Sequence, residues 1–388
     1  MRTAGVITVA GLALVAVGVA LLHSAAPSQR GAGLSVPATG SPHAVGKQPA
    51  AVSIGDVNGD RKADTVVANT GGDNITVLLG GGLGGFRNAP DSPFAGGPKP
   101  HLIVLGDVNG DSKLDCAVTE HDSTEVRVFL GKNDGRFERA PRSPFVAHSG
   151  KPHNHGLSLA DVNRDGRLDI ITSNQDDNSV SVLLGDGDGG FAPATGSPFR
   201  VGASPYPHAL GDVNGDGNPD IVTPNVRGNS MSVLLGDGKG GFRAAPGSPY
   251  HVEMRPYHAE LGYVNGDKHL DAVVTHDDIT LVSVLLGDGR GGFLAAPASP
   301  ADTRWRGGKV MLRDVNGDGR TDLITCTGGS VIVLRGDGHG GFTPAPGSPY
   351  ATPGGSWGMD MGDFNGDGKL DVVTANNEAN SLTVLLGK

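Results

Sequence analysis

Seven short acidic segments recur along the chain, and each alternates oxygen-bearing side chains with variable residues. Six of them follow the pattern Asp-x-Asn-x-Asp-x-x-x-Asp and return at intervals of roughly 51 residues. Carboxylate and amide oxygens are the donors that calcium prefers in proteins. The six intact segments place these oxygens at Asp56, Asn58, Asp60 and Asp64; Asp107, Asn109, Asp111 and Asp115; Asp161, Asn163, Asp165 and Asp169; Asp212, Asn214, Asp216 and Asp220; Asp314, Asn316, Asp318 and Asp322; Asp363, Asn365, Asp367 and Asp371. The spacing therefore predicts about six calcium sites.

The same residue types also favour β-turns that hold no metal, because Asp and Asn side chains bond to their own backbone. A turn needs only one such residue, whereas three carboxylates brought close together repel one another unless a cation balances them. We therefore expect calcium at the intact segments. The fifth segment has Tyr263 at its first position and keeps only Asn265, Asp267 and Asp271, so it is expected to bind calcium weakly or not at all.

The acidity of the chain is concentrated in these segments. The formal net charge is −10, and the intact segments hold 18 of the 41 Asp and Glu residues. Most of the negative charge is therefore explained by local sites rather than by attraction of a partner. An acidic chain repels nucleic acid and anionic lipid surfaces, so we expect no nucleic-acid partner.

Short apolar runs between the acidic segments have the composition of β-strands. Each repeat holds runs of Val, Ile, Leu and Thr that are bounded by Gly, Asn and Asp. Four strands in about 51 residues make one antiparallel blade. Seven repeats therefore predict an all-β fold, a seven-bladed β-propeller.

The two chain ends predict how the ring closes. The last repeat stops after its third strand, at SLTVLLGK, whereas GAGLSVPATGSPHAVG near the N-terminus resembles GGFAPATGSPFRVG at 189–202. Residues 34–45 are expected to supply the missing outer strand of the last blade, which removes an exposed sheet edge. The propeller is thus predicted to span residues 34–388.

The N-terminus is predicted to direct export. An uncharged apolar stretch follows Arg2 and ends near Leu22, and small residues at 24–26 suit a cleavage site. Residues 1–26 are interpreted as a signal peptide, or alternatively as an uncleaved membrane anchor, and residues 27–33 as a short linker. Either interpretation places the propeller in an extracytoplasmic space, secreted or at the cell surface. Contact with a membrane is expected only through such an anchor.

The acidic segments and a recurrent Gly-Gly-Phe…Ala-Pro element together resemble the FG-GAP repeat, also described as the VCBS repeat, which builds the integrin alpha-chain propeller. The resemblance covers residues from about 34 to 388 and involves motif, spacing and count. It implies a seven-bladed propeller with calcium in the loops of several blades. It does not imply one function, because members of the family include adhesion proteins, glycan-binding proteins and domains of carbohydrate-active enzymes.

The direction of the strands predicts which face carries a ligand site. The first strand of each blade lines the channel and runs into the acidic segment, so its start lies at the opposite face. Aromatic and polar groups that converge on a channel mouth suit a sugar or another small molecule. We expect ligand-binding residues at this rim, namely His101, His153, His155, Tyr206, His208, Tyr257, His258, Trp305, Lys309 and Trp357.

Two other interpretations of this rim stay open. The aromatic residues could simply pack between blades, and imidazoles from adjacent blades could meet across the channel and bind zinc, copper, iron or nickel. The second interpretation involves His101, His153, His155, His208 and His258. A further set lies five residues after each acidic segment, and its recurring asparagines are expected to cap a turn instead. The set comprises Asn69, Glu120, Asn174, Asn225, His276, Thr327 and Asn376.

These features predict a monomeric, exported, calcium-stabilised binding or adhesion module for a glycan or protein ligand. No nucleophile elbow, pair of catalytic carboxylates or cofactor fingerprint stands out, so no catalytic residue is assigned. The alternative is a propeller enzyme, such as a carbohydrate lyase, dehydratase or hydrolase, that uses rim histidines with Glu120 for acid–base chemistry.

Overall fold

Seven antiparallel sheets form the blades of a ring, as predicted, and each sheet has a short fifth strand in addition to the four that were predicted. The computed structural model describes residues 33–388, apart from the side chains of residues 35 and 36. The predicted signal peptide or anchor and nearly all of the linker lie outside the described residues. Among the residues described, no helix is long and apolar enough to cross a membrane.

Four strands of each blade follow one another outward from the channel, and a short fifth strand also pairs with the third. The inner strands are β3 (Pro49–Gly55), β8 (Pro100–Gly106), β13 (Asn154–Ala160), β18 (Ala209–Gly211), β23 (Pro256–Gly262), β28 (Val310–Arg313) and β33 (Ser356–Gly362). The second strands are β4 (Asp64–Asn69), β9 (Asp115–Glu120), β14 (Asp169–Asn174), β19 (Asp220–Asn225), β24 (Asp271–His276), β29 (Asp322–Thr327) and β34 (Asp371–Asn376).

The third strands are β5 (Asn74–Gly80), β10 (Glu125–Gly131), β15 (Ser179–Gly185), β20 (Ser230–Gly236), β25 (Leu281–Gly287), β30 (Ser330–Gly336) and β35 (Ser381–Gly387). The outer strands are β1 (Leu34–Pro37), β6 (Phe86–Asn88), β11 (Phe137–Arg139), β16 (Phe191–Pro193), β21 (Phe242–Ala244), β26 (Phe293–Ala295) and β31 (Phe342–Pro344). The short strands are β2 (His43–Ala44), β7 (Phe94–Ala95), β12 (Phe145–Val146), β17 (Phe199–Arg200), β22 (Tyr250–His251), β27 (Ala301–Asp302) and β32 (Tyr350–Ala351). One 3₁₀ turn, Gln175–Asp177, follows β14.

The predicted closure of the ring is confirmed. Leu34 in β1 pairs with Gly387 in β35, and His43 in β2 pairs with Leu382 in the same strand. The N-terminal segment therefore completes the blade that the C-terminus leaves unfinished. This pairing covers the edge of β35, which would otherwise be an open template for another chain.

The core consists of β-branched and aliphatic side chains from the second and third strands, packed between neighbouring blades. Val66, Val118, Ile170 and Ile221 on the second strands are all fully buried. Second strands are buried on both faces, which explains why their apolar runs are nearly continuous rather than alternating.

The glycine-rich turns connect neighbouring blades. The turn between β10 and β11 places Gly135 at φ +85°, where its N–H donates to the carbonyl of Val57 in the preceding blade at 3.0 Å. Gly84 makes the equivalent bond to Phe364 at 3.0 Å, across the junction of the first and last blades. A left-handed backbone conformation favours glycine, so this geometry accounts for part of the recurrent Gly-Gly-Phe element.

Candidate functional site

Each intact acidic segment winds around the carboxylate of its first aspartate. In the fourth blade, Asp212 accepts N–H groups from Gly215, Asp216 and Gly217 at 2.7, 3.1 and 2.8 Å. The side-chain carbonyl of Asn214 accepts the N–H of Asp216 at 2.8 Å. Gly215 and Gly217 are left-handed, with φ of +76° and +83°. These bonds hold the oxygen-bearing residues of the segment in one tight loop.

The ninth-position aspartate plays a second part that the motif alone did not predict. Asp220 is fully buried, and its two carboxylate oxygens accept the N–H groups of Val213 at 2.9 Å and Gly236 at 2.8 Å. It therefore joins the acidic loop to the end of β20. Burial is the main cause that raises the pKa of Asp220 to about 7, and the nearby charges of Asp216 and Asp212 raise it further.

This donor set fits a hard divalent cation. Three carboxylates and an amide share one loop, and among the described residues no lysine or arginine forms an ion pair with a ninth-position aspartate. Calcium takes six to eight oxygen ligands from such loops. The first, third, fifth and ninth side chains of each intact segment would hold the ion, whose charge would offset the repulsion between the carboxylates.

The fifth loop differs in backbone as well as in sequence. Tyr263 is 46% exposed and offers no carboxylate for the loop N–H groups to bond. Position six is left-handed in the other loops, at residues such as Arg61, Ser112 and Gly217, but Lys268 does not adopt that conformation. The loop therefore lacks both the first ligand and the tight winding that it organises.

The asparagines five positions after the first, third, fourth and seventh segments hold the next hairpin together, as expected. The amide of Asn225 donates to the hydroxyls of Ser230 at 3.0 Å and Ser232 at 2.9 Å on the following strand. In the second blade Glu120 bonds to Arg127 instead. Glu120 is therefore engaged by a neighbouring cation, which weakens its predicted part as a catalytic acid.

Aromatic rings from three consecutive blades form a row at the face opposite the acidic loops. His155 and Tyr206 stack with ring centroids 4.3 Å apart and planes 11° apart, and Tyr257 lies 5.3 Å beyond Tyr206. All three rings are half-buried. The faces of His155 and Tyr206 cover each other, so this pair offers ring edges and polar atoms to a ligand rather than an open ring face.

Four histidines gather at one end of this aromatic row. His153 Nε2 lies 3.3 Å from His121 Nε2 and 3.0 Å from His155 Nε2. The ring of His101 meets those of His121 and His155 edge-on, at 4.9 and 5.4 Å. Burial is the main cause that lowers the pKa of His101 to about 4 and of His155 to about 2, and the neighbouring imidazoles lower both further.

Sequence reasoning missed His121. It follows directly after β9 and enters the cluster because β8 and β9 form a hairpin whose open end lies at the rim. The pairing of Pro100 with Glu120 could have indicated this position. By contrast, His208 is not in the predicted cluster, since its Nδ1 bonds to Ser173 Oγ at 2.8 Å beneath the surface.

The remaining predicted rim residues are dispersed. His258 is buried, and burial lowers its pKa to about 3. Trp305 packs partly buried against the core between the fifth and sixth blades. Trp357 is 54% exposed at the start of β33 and presents an accessible indole. Lys309 precedes β28 and is half-buried.

Charged groups also line the inner strands below the rim. Burial raises the pKa of Glu260 to about 7, although Arg313 and Lys309 favour its charged form. Asp360 accepts the backbone N–H of Ile54 at 3.1 Å, and burial raises its pKa as well. The channel is thus polar, with carboxylates and cations on the inner strands of the fifth, sixth and seventh blades.

Solved structures similar to this chain are propellers with varied descriptions. They include BBS1N in complex with ARL6DN (TM-score 0.64, 13% identity, covering 93% of this chain and 98% of that one). An Agrocybe aegerita lectin, described as recognising non-reducing terminal N-acetylglucosamine, aligns with a TM-score of 0.54 and 20% identity over 86% of this chain and 87% of its own. A streptogramin B lyase aligns with a TM-score of 0.57 and 11% identity over 90% and 97%. At these identities the likeness shows the fold alone.

No curated protein sequence matches the chain. The profile of the FG-GAP-like repeat matches residues 56–118, 107–172, 161–223, 263–324 and 314–374. Each matched segment begins at the first position of one acidic loop and extends through the next loop. Because these segments cover well over half of the sequence, the chain belongs to the FG-GAP-like repeat family.

Proposed function

We propose that this propeller is an exported, calcium-stabilised binding module that recognises a glycan at the rim opposite its acidic loops. The observation that carries the proposal is the row of rings formed by His155, Tyr206 and Tyr257 on three consecutive blades. The row stands at the mouth of a polar channel, where convergent polar and aromatic groups suit a small polar ligand.

A hydroxyl-rich ligand matches the chemistry of this rim. Among the described residues, the phenol groups of Tyr206 and Tyr257 make no hydrogen bond to protein, and neither phenol oxygen is fully buried without a hydrogen-bond partner. They are available to donate to and accept from sugar hydroxyls. Trp357, which is 54% exposed, adds an open ring surface on another blade. Aromatic side chains with a polar group are suited to binding sites that are partly exposed to water. The similar lectin shows that a propeller of this shape can serve sugar recognition.

Calcium bound in the acidic loops would stabilise the folded propeller. The loops connect inner to second strands, so each bound ion would hold one blade's inner hairpin in place. A ligand that binds only the folded state stabilises that state. An extracytoplasmic location, where calcium is plentiful, is consistent with this arrangement. We expect the propeller to be a monomer.

A second candidate is an enzyme that uses the rim histidines. The lowered pKa values of His101 and His155 keep imidazoles neutral, as a general base requires. The engagement of Glu120 by Arg127 weakens the case that Glu120 assists them as an acid. A protein ligand at the same rim is the other alternative to a glycan.

Glycan-array binding of the full propeller in calcium tests the proposal. We expect a defined set of glycans to bind, and Tyr206→Ala and Tyr257→Ala to reduce that binding by at least about 10-fold, which corresponds to about 1.4 kcal/mol. Tyr263→Ala is the matched control, because Tyr263 is an exposed tyrosine on the opposite face. Binding that is lost equally in the control, or absent from the whole array, would refute the glycan assignment. Degradation of a bound glycan would favour the enzyme.

A further inference from the structure

Three histidines from two neighbouring blades bring their ring nitrogens together at the rim. His153 and His155 flank Asn154, the first residue of β13, and their Nε2 atoms lie 3.0 Å apart. His121 approaches from the end of β9 in the adjacent blade. One nitrogen from each ring lies within 4.8 Å of the other two.

The distances are close to those of a metal site. Zinc–nitrogen bonds of about 2.0–2.1 Å in a tetrahedron place ligand nitrogens about 3.3 Å apart. His153 Nε2 lies 3.3 Å from His121 Nε2 and 3.0 Å from His155 Nε2. The nitrogens of His121 and His155 lie within 4.8 Å of one another, whereas tetrahedral coordination requires about 3.3 Å.

The outer contacts of the rings determine which nitrogens point inward. Asp122 Oδ1 lies 2.6 Å from His121 Nδ1, and Asp176 Oδ2 lies 3.4 Å from His153 Nδ1. Lys99 Nζ in turn contacts Asp122 at 2.5 Å and holds it in place. A carboxylate at Nδ1 favours the tautomer that carries its proton there, and this is the arrangement found around metal-bound histidines.

In that tautomer the facing Nε2 atoms of His121 and His153 both lack a proton, so no hydrogen bond can form between them. With protons at both Nδ1 atoms, His121 Nε2 and His153 Nε2 face each other as two lone pairs 3.3 Å apart. Two acceptors at this distance repel, and a bound cation turns the repulsion into coordination. A neutral hydrogen-bonded cluster would instead need one ring to give up its carboxylate-bound proton.

We propose that His121, His153 and His155 form a zinc-binding site with one open coordination position toward the channel mouth. Imidazole nitrogen is a preferred zinc donor, and three protein ligands with one exchangeable position is a common zinc arrangement. Asp122 and Asp176 orient the ligands from outside. His101 packs edge-on against two of the rings and fixes their orientation.

The site is chemically distinct from the acidic loops. Its donors are nitrogen atoms, whereas the loops offer only oxygen, and the two sets lie on opposite faces of the propeller. Saturating calcium therefore fills the loops without competing for the histidines, because calcium prefers oxygen ligands. The proposal does not depend on glycan recognition, although both involve His155.

Calorimetric titration of the chelator-stripped, untagged full chain with Zn²⁺, in millimolar Ca²⁺, tests the assignment. We expect one equivalent of zinc to bind, and Co²⁺ to give the intense visible absorption of four-coordinate cobalt. His153→Gln should weaken zinc binding by more than about 100-fold, and Asp122→Asn by about 10-fold, as changes to outer partners do. His251→Gln is the matched control, because His251 is exposed on the short strand β22.

Unchanged zinc affinity in His153→Gln, or only six-coordinate cobalt, would overturn the proposal. Melting curves of each variant in calcium establish that it is folded before titration. A chain that binds zinc but no glycan would refute the proposed function and leave the metal site intact, and the converse result would refute the metal site alone.

Discussion

The buried ninth-position aspartate provides the sharpest test of how the loops are built. Asp271 in the fifth loop accepts the N–H groups of Val264 at 2.9 Å and Gly287 at 3.0 Å, as Asp220 does with Val213 and Gly236 in the fourth loop. The fifth loop lacks the first calcium ligand, so it separates the backbone role of this aspartate from its role as a ligand.

The change to asparagine keeps the shape of the side chain but turns one acceptor into a donor. One buried N–H loses its partner, and the other hydrogen bond loses its charge. A hydrogen bond to a charged group is worth about 1.5–3 kcal/mol, and an unsatisfied buried donor costs about 1–3 kcal/mol. Asparagine also removes a buried negative charge, whose cost is reflected in the raised pKa of both carboxyls, and this offsets part of the loss at pH 8. We therefore expect Asp220→Asn and Asp271→Asn each to cost at most about 3 kcal/mol without calcium, or a melting temperature lower by at most roughly 4 °C for a domain of this size.

Thermal melts at pH 8, with excess EDTA and with saturating calcium, make the comparison. In EDTA neither variant should lose more than this amount. In saturating calcium, the melting temperature of Asp220→Asn should fall further below that of the unmodified protein, because this change also removes a calcium ligand. The fall in the melting temperature of Asp271→Asn should be the same as in EDTA. A loss in Asp220→Asn that is the same in calcium and in EDTA would refute its role as a calcium ligand, and an added calcium-dependent loss in Asp271→Asn would show that the fifth loop binds calcium.

Three further perturbations address other parts of the molecule. Tyr263→Asp restores the first ligand and should create one additional calcium equivalent in calorimetry; an unchanged count would show that the missing carboxylate is not what disables this loop. Asn225→Ala removes the bonds to Ser230 and Ser232 and should destabilise the fold by about 1–2 kcal/mol in urea unfolding. Burial raises the pKa of Glu260 to about 7, so the folded state holds its proton more tightly and stability falls as pH rises from 4.5 to 7. Glu260→Gln should therefore raise the melting temperature at pH 8 and leave it nearly unchanged at pH 4.5.

Repetition made the fold predictable from the sequence. Seven copies of one motif specify seven similar blades, and the match between the N-terminal segment and an internal outer strand predicted the closure that the pairing of Leu34 with Gly387 confirms. Short apolar runs bounded by Gly, Asn and Asp identified the strands, because outside the closing blade each strand's partners lie within the same repeat. Such local pairing requires no knowledge of distant contacts.

The rim was less predictable because its contacts join different blades. Counting along each strand placed His155 and Tyr206 at equivalent positions, but not the stacking that covers their faces. It overlooked His121, which belongs to the loop after β9 rather than to an inner strand. It also grouped His208 with the exposed histidines, although Ser173 binds it beneath the surface. Side-chain direction at a strand end depends on bulges, such as the one between Asn154 and Gly156, which residue spacing does not reveal.

Calcium stoichiometry tests the central claim most directly. Protein stripped of metal and titrated calorimetrically with Ca²⁺ at pH 8 should take up about six equivalents, one for each intact acidic loop, and its melting temperature should rise as the loops fill. Protein that binds no calcium and melts at the same temperature before and after stripping would contradict the account.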